Sequence, residues 1–231
     1  MNRAGSSNLF LGVLLVIVWL CVIIWRDSSH AQAVHVEGLP EVPSATAQNF
    51  ILSSDSAFVY RLLLVWLQQF DVQSGQYVSY NSLDYSHLSK WLDRLQQISP
   101  DSHYPMLLAT RVYTRVADDK RKRQMLDFVY QQYQQNPGKN WRWLAEATVF
   151  ARHSLKDLPL ALDYAETLAQ SANPDIPYWV RDLRLTLLED MGEYKQVELL
   201  VGGLLANKAI TDPNELRFLN LLLQRLQKNN N

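Results

Sequence analysis

The side chains able to do acid–base or metal chemistry are His30, His35, His87, His103 and His153, with Cys21 as the lone thiol. No histidine has a second histidine or cysteine three or four residues away, the spacing by which one helix face closes on zinc. The His–Glu zinc spacing, the paired-cysteine spacing and the nucleophile elbow are absent from the sequence. No glycine-rich loop is placed to cradle a phosphate. Gly202-Gly203 falls inside a helical stripe, where the pair is expected to let helices approach closely. Lys120-Arg121-Lys122-Arg123 is the one basic run. It reads as a solvated helix face, with a phosphate or lipid headgroup as the sharper alternative. These residues imply no catalytic set, no cofactor and no metal.

The elements that would position any working surface are written more strongly. Leu144, Ala147 and Ala151 form an apolar triplet at helical spacing. The triplet returns 36 residues later as Val180, Leu183 and Leu187, and 36 later again as Leu216, Leu219 and Leu223. Leu158, Ala161, Ala165 and Leu168 map by the same offset onto Tyr194, Val197, Val201 and Leu204. Met125 and Val129 precede Ala161 and Ala165 by one period. Arg111 and Arg115 then fall on apolar slots, so either the register slips there or that end is an atypical cap. Two helical stripes per period predict antiparallel helix hairpins stacked as an α-solenoid, because one hairpin cannot bury its apolar face alone.

Punctuation agrees. Ser82 or Asp84 can cap a helix carrying Leu88, Trp91, Leu92 and Leu95. Tyr104-Pro105 and Asp118-Asp119 start the next two. Asn136-Pro137-Gly138 and Asn173-Pro174-Asp175 break the chain. The predicted hairpins are 141–155 with 158–171, and 176–191 with 193–206. Asp212-Pro213 opens a last helix to about residue 227.

The hairpin size, the Gly192-x-Tyr194-x-x-Val197 turn, the Asn-Pro breaks and the small Ala161 and Ala165 resemble tetratricopeptide repeats (TPR) over roughly residues 104–226. The period of 36 exceeds that family's 34 or so, and the Trp, Leu, Gly pattern of its first helices is out of phase. A neighbouring α-solenoid class therefore stays open. The resemblance implies a groove lined by the first helix of each pair. It would point Trp143, Glu146 and Phe150, then Trp179, Asp182 and Glu189, towards a protein partner. The alternative is that both tryptophans belong to the hairpin core.

Residues 9–25 carry no charge, and as a helix they span roughly 25 Å. With Arg3, Trp19, Trp25 and Arg26 at the flanks, residues 1–26 read as one transmembrane anchor. The rival is a signal peptide cut after Ala31-Gln32-Ala33. Residues 27–52 read as a flexible linker, and 53–228 as the helical repeat domain. Ala57 to Leu67 is apolar almost all round, broken only by Arg61. It is expected to be a buried first helix, or else one docked on a membrane surface or on a partner. Asp71 to Ser82 is a twelve-residue polar loop holding Tyr77 and Tyr80.

With 22 basic and 23 acidic residues the chain is not built to coat nucleic acid. The function expected is a single-pass membrane scaffold or adaptor, not an enzyme. Its N-terminus would be cytoplasmic and its repeat domain extracytoplasmic, periplasmic if the cell is bacterial. It would bind a protein partner of a membrane or cell-envelope assembly. The alternative is an enzyme, or an enzyme's accessory subunit, acting on envelope polymers such as glycans.

Overall fold

The computed structural model describes residues 18–19, 38–42, 56–70, 72–73, 76–77, 83–206 and 210–229. Apart from one two-residue ladder they are all-helical. Most of the predicted anchor lies outside the described residues. Val18 and Trp19 are helical and exposed. Among the described residues no helix is long and apolar enough to cross a membrane.

Helix α1 spans Ser56–Gln69. Strands β1 (Val72–Gln73) and β2 (Gln76–Tyr77) then pair antiparallel, Val72 opposite Tyr77. Part of the predicted polar loop is thus a small hairpin. Helix α2 is Tyr85–Ile98, where Asp84 accepts from the Ser86 and His87 amides at 2.8 and 3.3 Å. Its stripe buries Leu88, Trp91, Leu92 and Leu95, as the spacing predicts. Helix α3 is Tyr104–Leu107, with Pro105 in its first turn. It runs on as a π-helical turn over Leu108–Val112 and a 3-10 turn over Tyr113–Arg115.

Asp118 caps α4, Asp119–Gln135. Asn136 caps α5, Pro137–Phe150, which continues as a second π turn over Ala151–Leu155. Asp157 caps α6, Leu158–Ala169. The predicted helix 176–191 is two pieces, α7 (Tyr178–Arg181) and α8 (Leu183–Asp190), broken at Asp182. Gly192 ends α8 at φ 79, a left-handed turn that glycine makes without strain. Helices α9 (Tyr194–Ala206) and α10 (Pro213–Asn229) follow.

Packing is between near neighbours in sequence. Helix α2 meets α1 and α4, α4 meets α5, α5 meets α6, and α6 meets α7 and α8. Helix α8 meets α9, and α9 meets α10. Ala147, Ala151, Ala161 and Ala165 are all fully buried, so α5 and α6 close on methyl groups. The apolar interior divides in two. One cluster runs from Leu39 to Leu187, while Leu185, Leu188, Val197, Val201, Leu219, Leu222 and Leu226 form the other.

Four sequence expectations change. First, the linker is docked over residues 38–42: Leu39 is 3% exposed, and the Trp91 indole N–H donates to the Pro40 carbonyl at 2.8 Å. His87 Nδ1 lies 2.9 Å from the Leu39 carbonyl. Residues 27–37 and 43–52 lie outside the described set. Second, α1 is covered on one side only. Val59, Tyr60 and Leu67 are buried, but Phe58, Leu62 and Val65 are 56%, 54% and 58% exposed. Third, the Arg111 anomaly is a register slip. The π turn inserts one residue, so Leu108, Ala109 and Tyr113 turn inward and Arg111 turns out.

Fourth, Gly202 and Gly203 serve no close packing. Both are exposed, and an added Cβ would meet nothing within 4 Å. Gly202→Ala and Gly203→Ala are each expected to stabilise the protein by about 0.5–1 kcal/mol. The readout is a higher thermal-unfolding midpoint. A lower midpoint for either variant would mean that α9 needs the bare backbone there.

Candidate functional site

The six residues expected on one groove do not share one environment. Trp143 stands on α5, half-buried, its indole N–H 3.4 Å from His103 Nδ1 and its ring centroid 6.1 Å from the imidazole's. Trp141, two residues earlier, takes the core position at 8% exposed. Phe150, at the last turn of α5, packs partly against the larger core. Trp179 projects from α7 at 53% exposed. Neither Trp143 nor Trp179 is therefore a fully buried core residue.

The acidic members are committed elsewhere. Glu146 takes a two-pronged bond from Arg111, 2.6 Å from Nε and 3.2 Å from the second nitrogen. Glu189 pairs with Arg225 of α10 at 3.2 Å. Its neighbour Asp190 pairs with Arg152 at 2.6 Å, from the π turn that ends α5. Both π turns thus present an arginine to an acid one pair of helices later. Such half-exposed pairs are worth about 0–1 kcal/mol each and act more as register marks than as glue.

Asp182 departs most from expectation. It is 5% exposed, at the break between α7 and α8, and so faces inward and not a partner. Burial pushes its carboxyl up to about 6; repulsion from Glu215 adds to this, while Arg184 and Arg181 oppose it. Glu215 is raised in turn, by burial and then by Asp212. The one-residue uncertainty of a repeat register is enough to turn such a side chain through about 100°.

Sequence reasoning missed Tyr104 and His103. Tyr104 opens α3 at 39% exposed, and the Gln68 amide donates to its hydroxyl at 2.7 Å. Tyr104, Trp143 and Trp179 thus belong to the N-terminal halves of three first helices, α3, α5 and α7. An aromatic 36 residues from another was a visible signal for Trp143 and Trp179. Tyr104 lies 39 residues before Trp143, off that phase.

The basic run is only partly solvated: Lys120 and Arg123 are exposed, while Arg121, lying over the Tyr85 ring, and Lys122 are partly covered. Lys122 reaches Asp119 at 2.7 Å, Arg121 reaches Asp118 at 3.6 Å, and Arg123 pairs with Asp157. Among the described residues no three His, Cys, Asp or Glu side chains gather as a metal site. A cleft of about 260 Å³ between α2, α4 and α5 is lined by Asp93, Gln96, Gln132, Lys139 and Asn140. It contains none of the six predicted residues. The first helices offer aromatic contact area, and their acids Glu146, Glu189 and Asp190 are each paired with an arginine. No family model, no curated protein and no solved structure matches the chain.

Proposed function

We propose that the chain is a membrane-tethered interaction protein whose helices form a TPR-like α-solenoid and grip a protein partner through their first-helix face. Stacking is supported by the pairs that join successive first helices. Arg111 meets Glu146, Arg152 meets Asp190 and Glu189 meets Arg225, at separations of 35, 38 and 36 residues. Those separations match the 36-residue offset of the apolar stripes. In such an array the repeats form an extended binding surface. The tether is residues 9–25, with the helical domain on the extracytoplasmic side and the partner a component of a membrane or envelope assembly.

The observation that carries the reading is Trp179, a large aromatic more than half exposed at the start of its helix pair. An exposed tryptophan is the pattern of an interaction anchor, since indole contributes much area at little entropic cost. The test is in-cell crosslinking from a photoreactive residue at position 179. Leu199 on α9, 78% exposed, serves as control. Adducts to a discrete protein from 179 and not from 199 are expected. Equal capture from both positions, or none from 179, would end the first-helix reading.

A further inference from the structure

The exposed side of α1 is too apolar to be an ordinary solvated surface. Phe58, Leu62 and Val65 lie at i, i+4 and i+7, one helical stripe, each more than half exposed. Opposite them Val59, Tyr60 and Leu67 are buried. Ser56–Gln69 holds one arginine, the exposed Arg61, and no aspartate or glutamate. Scattered exposed leucines need no explanation, but an aligned row on one helix does.

The path of the chain says what covers it. Residues 38–42 enter the fold on α2, held by the Trp91 bond to Pro40 and by His87 at Leu39. The same Trp91 ring packs on Trp66 of α1, centroids 4.7 Å apart. The chain therefore arrives from its N-terminal segment directly beside α1. Only twelve residues, 26–37, separate the apolar run 9–25 from Gly38. Whatever their conformation, thirteen steps of chain reach no further than about 45 Å. If 9–25 spans a membrane, as proposed above, α1 is at the end of the domain held closest to that membrane.

We propose that the Leu62–Val65 face of α1 docks on the lipid bilayer itself. Phe58 lies on the same stripe, and Arg61 meets anionic headgroups. An apolar face on a helix that itself carries one base and no acid fits an interfacial helix, which sinks roughly 5–10 Å into the headgroup boundary. The domain then does not swing on its linker. It stands against the membrane on two contacts, and its C-terminal helices point away.

The inference rests on the anchor reading, and the experiment separates the two. The full chain with Cys21→Ser and Leu62→Cys, labelled with an environment-sensitive fluorophore, is reconstituted in vesicles of mixed zwitterionic and anionic lipid. Carbonate extraction reports whether the chain is integral. The expected result is retention in the membrane, a blue-shifted label, and loss of most emission when lipids carry a nitroxide near the headgroup. A label at Leu199→Cys should stay aqueous and unquenched. With Leu62→Glu and the label moved to Val65→Cys, quenching should largely disappear. A retained chain whose position 62 is not quenched overturns the docking and leaves the anchor standing. A label shielded from water yet untouched by lipid nitroxides means that protein, a second copy or a partner, covers the face, and also overturns it. Release by carbonate removes the anchor; release without quenching removes both.

Discussion

Asp182→Asn is expected to raise the thermal-unfolding midpoint by several degrees at neutral pH, and to leave a stability that varies less between pH 4 and 6. The carboxyl is raised from 3.8 to about 6, chiefly by burial and then by Glu215. Above pH 6 it is charged in the fold and unfavourable there, a cost of roughly 3 kcal/mol for a shift of that size. As pH falls through 6 the folded state takes up the proton while the unfolded chain does not, so the wild type gains stability. That gain is complete near the unfolded value. The neutral asparagine removes the cost at every pH. The advantage of the variant should therefore be largest at pH 7 and fade by pH 4. Thermal melts of both proteins across that range check this. A variant less stable than wild type at pH 7 would show that the charge is compensated by Arg181 and Arg184 and is needed.

Leu144→Ala and Leu222→Ala remove the same atoms from fully buried sites in different clusters. Each should cost about 2–5 kcal/mol where it acts. Leu144 lies in the cluster that runs from Leu39 to Leu187, and its loss should lower protection against amide exchange in α2, α4, α5 and α6 together. Leu222 lies in the cluster built by α8, α9 and α10, and its loss should speed exchange in α9 and α10 while α4 and α5 stay protected. Hydrogen-exchange mass spectrometry of the two variants distinguishes these outcomes. Uniform loss of protection in both would mean one cooperative unit.

Much of the fold was legible because its signals are local. Asp84, Asp118 and Asp212 act at helix starts where the turn chemistry placed them, while Asn136 and Asp157 cap helices that the sequence left unmarked there. The 36-residue offset named residues that are buried together, such as Leu144 and Ala151 with Val180 and Leu187 in one cluster. What stayed hidden depends on groups far apart in sequence or on a phase of one residue. A π turn adds a residue without any compositional mark, so the slip at 108–112 could be suspected from Arg111 but not located. The docking of Leu39 and Pro40 depends on His87 and Trp91, about fifty residues on. An all-round apolar α1 does not say which side meets protein. The resemblance points Asp182 outward, but the break between α7 and α8 falls on it and turns it inward, and nothing in its spacing marks that break.

The split interior has a mechanical consequence. Leu185 and Leu188 of α8 belong with the C-terminal helices, while Leu187 of the same helix belongs with the rest. The seam between the parts runs through this eight-residue helix, with Leu162 of α6 packed against both clusters. If the chain holds a partner as proposed, a load on the far end against a tethered N-terminal side would act on that seam in peeling. The last two helices would unravel as a unit and rewind when the tension drops, and the larger part would keep its shape. A holder made this way yields at its tip before it is torn from its base, with its slack preset by residues 194–229.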